Sequence, residues 1–341
     1  MNIRFDLPPD LSASAPPESR GLSRDGVRLL VAGPSGVHHT VFTSLGEYLR
    51  PGDLLVVNTS GTLPAAIDAR RAGRPIVVHF ATSLDDGSWI VELRAPGGPL
   101  LDGRPGEHLS LAGDASLTLL APASPDTSRL WRAAVSVEVP PLLAAAGRPI
   151  RYGYVPRAWP LADYQTVFAR EQGSAEMPSA ARPFTPELVT GLVTDGVLFA
   201  PLLLHTGVSS PEAAEPPQAE RFRVPPATAA LVSWVRSRGG RVIAVGTTAA
   251  RALESAVPGG DFGDLGDLRA AEGWTNLVLG PDRPARVVDG IITGLHAPEA
   301  SHLLLLEAVA GAEVVQKAYD AAVEHRYLWH EFGDVSLLLR H

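Results

Sequence analysis

The segment RVIAVGTTAARALES, residues 241–255, combines residue types that suit the binding of an anionic or polar ligand. Its β-branched run at 242–245 predicts a buried strand, and the helix formers at 249–255 predict a helix. Gly246, Thr247 and Thr248 stand between them, and we expect a threonine to be the N-cap. A helix that begins at the carboxyl end of a strand presents free backbone N–H groups to an anion. The alternative is an ordinary strand–helix junction with a capping threonine.

Three further polar clusters follow apolar runs in the same way. Asn58 follows a predicted strand at 54–57, and His205 follows the run VLFAPLLL. Thr293 and His296 follow the run VVDGII and precede a predicted helix. Ligands of open α/β sheets bind outside the carboxyl ends of the strands. The sequence therefore predicts one pocket walled by the four clusters, although a strand-end histidine also suits a purely structural position.

Two other segments and one arginine add candidates for ligand binding. In DYQTVFAREQGSAEMPSAARPFT we select Tyr164 and Gln165, whose polar groups are expected to face a ligand. In GWTNLVL we select Asn276 and Trp274, whose indole suits stacking on a base but is more commonly used in core packing. Arg251, on the helix predicted after Gly246, is a candidate partner for an anion.

The elements that position these residues fall into two groups. Residues 63–150 contain short alternating runs separated by turn residues, which predicts a small antiparallel β-barrel domain. Residues 1–62 and 151–341 alternate apolar strands with helical segments, which predicts an α/β main domain made from both ends of the chain. The segment SSPEAAEPPQAE, residues 209–220, is predicted to be an exposed and mobile loop.

Composition and charge limit the classes of function. The 341 residues are 45% hydrophobic and 19% charged, which is typical of a globular protein. The chain has no cysteine, which excludes disulfides and cysteine-ligated metal sites, and no other metal-ligand spacing is found. The net charge of −8 argues against a general nucleic-acid binder but allows a local basic patch that grips one RNA. We find no signal-peptide pattern and no apolar run of about 20 residues, so we expect a cytoplasmic protein without a membrane span.

Eight motifs, in the order in which they occur, resemble those of a known family. They are FDLPPDL, YLRPGDLLVVNTSGTLPA, YQTVFAREQGS, PFTPELV, GGRVIAVGTTAARALES, GWTNL, VVDGIITGLHAPEASHLLLL and AYDAAVEHRYLWHEFGD. Over nearly its whole length the chain resembles the S-adenosylmethionine:tRNA ribosyltransferase-isomerases of queuosine biosynthesis. The resemblance implies an α/β main domain, a distorted barrel-like sheet with helices, and a small inserted antiparallel β-barrel domain. This agrees with the segmentation above.

The reaction that the resemblance implies defines tasks for the site. The ribosyl part of S-adenosylmethionine moves to the aminomethyl group of a 7-deazaguanine in tRNA and is isomerised, and adenine and methionine are released. The sulfonium acidifies the adjacent C5′–H, so a general base is needed, and departure of adenine needs an acid. The candidates for proton transfer are His205, His296 and Glu220. Thr247 and Thr248, with Arg251, are expected to anchor the methionine carboxylate. We expect S-adenosylmethionine as substrate and tRNA as partner, with no metal and no further cofactor.

Four motifs depart from the family pattern, and the changes gather at the expected pocket. Residues 58–66, NTSGTLPAA, replace Asn-Asp-Thr-Arg-Val-Leu-Pro-Ala-Arg and lack its acid and its arginines. Residues 178–185 lack the histidine of Pro-Thr-Ala-Gly-Leu-His-Phe-Thr, the histidine-rich stretch after His205 is shortened, and Gly294 replaces an asparagine. Two alternatives to the family's reaction therefore stand. One is a diverged paralogue that uses S-adenosylmethionine or a related nucleoside with a non-tRNA acceptor, and the other is a catalytically silent binding protein on the same scaffold.

Overall fold

The computed structural model describes residues 3–124, 129–208, 218–257, 268–298 and 300–340. The elements of the first half are β1 Arg28–Gly33, β2 Gly36–Val41, β3 Leu54–Asn58, β4 Ser60–Thr62, β5 Ala66–Arg71, β6 Arg74–Ser83, β7 Trp89–Ala95, β8 Gly98–Pro99, β9 His108–Ser110, β10 Ser116–Pro122, β11 Leu130–Val135 and α1 Val139–Ala146. Those of the second half are β12 Glu171–Ser174, α2 Pro186–Thr194, β13 Leu198–Leu204, β14 Glu220–Val224, α3 Pro226–Ser237, β15 Val242–Val245, α4 Thr247–Ser255, β16 Ala271–Thr275, β17 Gly290–Gly294, α5 His302–Ala310, α6 Ala312–Glu324 and β18 Val335–Leu339. Except for its last three residues, the loop predicted at 209–220 lies outside the described residues.

A nine-stranded mixed sheet forms the larger part of the protein. Its strand order is β16-β14-β13-β3-β15-β17-β18-β1-β2. The central strands β13, β3, β15 and β17 run parallel to one another. Every residue of β3 and β15 is buried, as expected for parallel strands that are covered on both faces. These observations confirm the predicted α/β main domain.

The two faces of this sheet belong to two separate hydrophobic cores. Leu54 and Val56 of β3 pack into a core shared with helices α3 to α6, and their neighbours Leu55 and Val57 pack into a core with Phe184 and α2. This alternation follows from the two-residue period of a strand, which sends successive side chains to opposite faces. The sheet is therefore held rigidly from both sides, and its rim is a fixed platform for a site.

The second sheet is a closed antiparallel barrel. Strands β5, β6, β7, β11, β10 and β9 each pair with two neighbours, and the β7–β11 and β5–β9 pairs close the ring. The short strand β8 adds to the outer side of β7. The barrel has its own core, which includes Ile67, Val78, Phe80, Val91 and Leu117. The predicted small antiparallel barrel is confirmed, while the limits of the inserted domain at 63 and 150 stay a prediction.

The parallel pairing brings several polar segments to one edge of the main sheet. Because β3, β13, β15 and β17 share their direction, the residues at and just after their carboxyl ends meet at one edge of the sheet. Asn58 is the last residue of β3 and Gly294 the last of β17. Gly246 follows β15 directly and has a φ of +95°, a conformation that glycine adopts without strain. The chain can therefore turn directly from β15 into α4. None of the described helices is long and apolar enough to cross a membrane.

Candidate functional site

A cavity of about 320 Å³ opens at this carboxyl edge. One wall is formed by the beginning of α4 and by the loop that follows β17. Another part of the wall comes from segments at 150–154 and 175–180, and from residues 330 and 331 before β18. Five of the residues selected from the sequence line the cavity: Tyr164, Thr247, Thr248, Thr293 and His296.

The start of α4 differs from the expectation in one respect. The N-cap residue is Gly246, and no side chain caps the helix, so the prediction of a capping threonine is wrong. The helix begins two residues earlier than expected because Gly246 alone makes the turn. Both threonines therefore stand in the first turn, where they line the cavity. The hydroxyl of Thr248 accepts a hydrogen bond from Asn58 Nδ2 at 3.3 Å.

His296 is held in the cavity by two neighbours. Its Nε2 lies 2.9 Å from Thr293 Oγ1, and its ring stacks on that of His302 with 4.5 Å between centroids. Burial lowers the pKa of His296 well below its ordinary value, and the nearby His302 and His330 lower it further. The imidazole is therefore uncharged at neutral pH and can accept a proton.

Asn58 and Gln165 are near the cavity but are used in structural contacts. Asn58 is fully buried, donates to the carbonyl of Leu204 at 2.8 Å and accepts from the N–H groups of Ser60 and Leu204. Gln165 bonds both backbone polar groups of Thr62. Asn58 thus joins β3, β13 and α4, and Gln165 holds β4 in place, so both fix the wall without facing the cavity.

His205 lies behind the cavity and is connected to it by hydroxyl groups. Its Nδ1 is 2.8 Å from Ser60 Oγ, which lies 2.6 Å from Ser174 Oγ. Ser174 Oγ is 3.4 Å from the hydroxyl of Thr206, which lines the cavity. A Cβ atom at Gly173 would lie 2.4 Å from the His205 ring, so a larger residue there would displace the imidazole. Burial lowers the pKa of His205, against the opposing charge of Glu171.

Glu220 and Arg251 form an ion pair to one side of the cavity. Arg251 Nη1 lies 2.5 Å from Glu220 Oε2, and its other nitrogens donate to the carbonyls of Leu277, Gln218 and Thr275. Burial raises the pKa of Glu220, although the charge of Arg251 lowers it. Neither residue lines the cavity. Arg251 therefore ties α4 to β14 and β16 and has no donor directed at a ligand in that cavity.

The segment with Trp274 and Asn276 is also separate from the cavity. The Trp274 indole donates to Asp85 at 2.9 Å, which links β16 to the barrel, and Asn276 is exposed. Neither lines the cavity. The structure thus brings Thr247, Thr248, Thr293 and His296 together at the cavity. His205, Glu220, Arg251, Trp274 and Asn276 lie outside the cavity wall.

Sequence reasoning missed a set of acidic and aromatic residues that also line the cavity. The Tyr152 hydroxyl donates to Glu176, and the Tyr154 hydroxyl donates to Glu331 Oε2 at 2.7 Å. The two tyrosine rings stack at 6.1 Å, and Tyr154 stacks on His330 at 4.1 Å. Burial raises the pKa of Glu331 to about 7, against the hydrogen bond from Tyr154. The only sequence signal for this set was a pair of acids standing among apolar and small residues, in EMPSAA and WHEFGD.

The charged side chains that line the cavity are acidic. Of the described residues that line the cavity, two are acidic and none is lysine or arginine. In the same part of the chain, no group of three or more histidine or acidic side chains is arranged to hold a metal ion. The cavity therefore offers carboxylates, neutral imidazoles, hydroxyls and the N-terminus of α4 to a ligand.

The family model described as queuosine biosynthesis protein matches residues 1–338 of the chain. The chain is 34% identical to the S-adenosylmethionine:tRNA ribosyltransferase-isomerase of Thermotoga maritima, with 98% of each chain covered. It is 35% identical to the protein of that name from Acidiphilium cryptum, again with 98% of each covered. A crystal structure of S-adenosylmethionine tRNA ribosyltransferase from Thermotoga maritima matches with a TM-score of 0.55 and 29% identity, over 99% of this chain and 100% of that one.

Proposed function

The chain belongs to the queuosine biosynthesis protein family, and on that premise we propose that it is an active S-adenosylmethionine:tRNA ribosyltransferase-isomerase. It transfers the ribosyl part of S-adenosylmethionine to a 7-aminomethyl-7-deazaguanine in tRNA, isomerises it, and releases adenine and methionine. The observation that supports this most directly is the cavity at the carboxyl edge, because α4, the loop after β17 and residues 330 and 331, which line it, belong to motifs that carry the resemblance. A tRNA substrate also fits the expected cytoplasmic location.

The first turn of α4 is proposed to bind the carboxylate of the methionyl group. Thr247 and Thr248 line the cavity, and the backbone N–H groups of this turn have no partner inside the helix. A carboxylate at this position would accept those hydrogen bonds and interact favourably with the helix dipole. Arg251 supports the site from behind by fixing α4 against β14.

His296 is the candidate that we place first for proton transfer. It lines the cavity, it is uncharged, and Thr293 fixes its orientation. In this role it accepts the proton that the sulfonium acidifies at C5′. His205 and Glu220 lie outside the cavity wall, so we propose that they act as positioning residues, His205 through Ser60 and Glu220 through Arg251.

The test is incubation of the protein with S-adenosylmethionine, with and without precursor-bearing tRNA, followed by mass spectrometry. We expect adenine and methionine only when the tRNA is present, together with a mass increase on the tRNA. Release of adenine without RNA would favour the paralogue with another acceptor. Binding of S-adenosylmethionine without turnover under either condition would favour the silent binding protein.

A pair of histidine variants tests the proposed proton transfer. His296→Gln is expected to lower kcat by about 10²-fold or more, because a positioned general base contributes about that factor. His108→Gln is the control, since His108 is exposed on β9 of the barrel and bonds only Thr118 among described side chains. The control should retain activity within about twofold. Equal activity of the two variants would remove His296 from the mechanism.

A further inference from the structure

We propose that a second cavity, between the barrel and the segment 148–156, binds the sugar–phosphate backbone of the RNA next to the acceptor base, with Arg94, Arg148 and Arg151 as its phosphate ligands. The inference rests on the proposed function for the identity of the RNA and adds the surface that holds it. The occupant is a single strand, because a base that reacts inside a cavity has left its stack and its neighbouring phosphates follow it.

The second cavity has a volume of about 480 Å³ and adjoins the first, which is the cavity at the carboxyl edge. Its wall is formed by strands β5 to β8 of the barrel and by the segment 148–156. In this segment Tyr154 lines only the first cavity, Arg151 and Val155 line only the second, and Tyr152 lines both. A polymer that places one unit in the first cavity can therefore place the next unit in the second.

The two cavities differ in charge. Of the described residues that line the second cavity, three are arginines and one, Asp68, is acidic. The described lining of the first cavity has two acids and no lysine or arginine. The whole protein has a net charge of −8, so the cluster of arginines is opposite in sign to the protein as a whole. Charge complementarity favours a polyanion in the second cavity, and RNA has one negative charge on each phosphate.

The arginines retain N–H donors for a phosphate. Arg151 is exposed, and it bonds the carbonyl of Pro156 at 2.8 Å and no acidic group of the described residues. Arg148 pairs with Asp68, but 41% and 78% of these side chains are exposed, so the pair contributes little and can be exchanged for one with phosphate. A guanidinium has five N–H donors in a planar fork that matches two phosphate oxygens.

Tyr152 stands between the acidic and the basic cavity. Its hydroxyl donates to Glu176 in the first cavity, and the guanidinium of Arg94 lies over its ring, 5.7 Å from the centroid. Arg94 also bonds Glu92 at 3.0 Å, which fixes it to the barrel. Aromatic rings and guanidinium groups are common platforms for unstacked RNA bases. The arrangement therefore suits a strand that passes over Tyr152 from one cavity to the other.

The experiment measures the dissociation constant of labelled, precursor-bearing tRNA by fluorescence anisotropy at several NaCl concentrations. Arg151→Gln and Arg148→Gln should each weaken binding about tenfold at low salt, because a charge-assisted hydrogen bond to phosphate is lost. Each should also reduce the slope of log Kd against the logarithm of the salt concentration by about 0.7–1, since fewer counterions are released. Arg151→Lys keeps the charge and should keep the slope, but without the planar fork it should bind more weakly than the wild type.

Removal of the acid from the second cavity gives a test with the opposite sign. Asp68→Asn releases Arg148 from its ion pair and removes a charge that repels phosphate. We expect it to tighten tRNA binding about threefold at low salt, as changes of charge at the rim of an interface do through the association rate. A purely structural role of the Arg148–Asp68 pair would give no gain in affinity.

The control is Arg238→Gln. Arg238 is exposed at the end of α3 and has no acidic partner among the described residues, as is true of Arg151. It precedes β15 and therefore lies at the amino edge of the sheet, opposite to the first cavity. Its substitution should leave the Kd for tRNA within about twofold and the salt slope unchanged. Binding of S-adenosylhomocysteine should be equal in all variants, which checks that each is folded.

The outcomes separate this inference from the proposed function. If Arg148→Gln and Arg151→Gln bind tRNA with the affinity and slope of Arg238→Gln, or if Asp68→Asn weakens binding, the RNA site is overturned, and release of adenine by the wild type still supports the proposed function. If the two variants bind tRNA weakly but the wild type releases no adenine, the proposed function fails and the RNA site stands. If the wild type does not bind tRNA, both are overturned.

Discussion

Two carboxylates, Glu92 buried in the barrel and Glu331 half-buried at the cavity, have opposite electrostatic environments. Glu92 on β7 lies 2.6 Å from Arg129 and 3.0 Å from Arg94, and its second oxygen is 3.2 Å from His79 Nδ1. Although burial raises the pKa of Glu92, the adjacent His79 ring, the hydrogen bond from Arg129 and the charges of the two arginines hold it at about 2. Glu331 accepts a hydrogen bond from the neutral hydroxyl of Tyr154, and burial raises its pKa to about 7.

The comparison of Glu92 with Glu331 distinguishes a carboxylate that forms structural ion pairs from one that is available to a ligand. A buried acid with ion-pair partners on the same domain is satisfied by the fold and has no capacity left for a substrate. An acid with a neutral partner and a raised pKa in a cavity is typical of functional sites. Glu220 resembles Glu92 in being paired with an arginine, although burial raises its pKa, and this pairing is the reason for placing it outside the chemistry.

The largest expected effect comes from unpairing Glu92. Arg129→Met removes its shortest ion pair, and we expect the free energy of unfolding to fall by about 3 kcal/mol, at the lower end of the range for buried pairs because Arg94 remains. Urea denaturation followed by circular dichroism measures it. Arg148→Met is the control, since the Arg148–Asp68 pair on the barrel surface is exposed and should cost less than about 1 kcal/mol. Equal losses in the two variants would contradict the structural role of the Glu92 cluster.

The second prediction concerns how stability changes with pH in the two regions. The folded state raises the pKa of Glu331 from 4.5 to about 7, so its stabilising contribution is present below about pH 4.5 and is lost as the pH rises through 7. Glu92 has the opposite sign, because its contribution is present above pH 4.5 and is lost as the pH falls toward 2. For Glu331 the change is on the order of 2 kcal/mol, since one pKa unit corresponds to about 1.4 kcal/mol and part of the group faces the cavity.

The measurement is the free energy of unfolding of the wild type minus that of Glu331→Gln, at intervals from pH 4 to pH 8. The difference should decrease as the pH rises through 7. Tyr154→Phe retains the carboxylate but removes the hydrogen bond that lowers its pKa, so the decrease should move to higher pH. A difference that does not vary with pH would mean that Glu331 is not buried as a proton-binding group.

The sequence predicted one wall of the cavity and missed the other, for a physical reason. Thr293 stands at the end of a buried apolar strand, and Thr247 and His296 follow such strands, so parallel pairing carries all three to the same edge and periodicity alone locates them. Tyr154 and Glu331 stand in irregular segments, where no period relates a residue to its neighbours. They meet only through contacts between distant parts of the chain, which a single sequence does not reveal.

Arg251 illustrates a second limit of sequence reasoning. Its position on α4 was identified correctly, but its partner was not, because an arginine near a helix N-terminus suits an anion of a ligand and a carboxylate of the protein equally well. The deciding residue, Glu220, lies on strand β14, 31 residues away in the sequence. The expected chemistry of a charged residue therefore depends on whether the fold already supplies its partner, which is the same distinction that separates Glu92 from Glu331.

The smallest expected effect tests whether pairing matters without burial. Lys317 and Glu313 form an i,i+4 ion pair on α6, and 62% and 75% of their side chains are exposed. Lys317→Met should lower the free energy of unfolding by only about 0.3–0.5 kcal/mol, because water and salt screen exposed charges. In 1 M NaCl the difference from the wild type should vanish, whereas the loss caused by Arg129→Met should persist. A loss above about 1 kcal/mol at Lys317 would mean that pairing itself, and not removal from water, makes the Glu92 cluster strong.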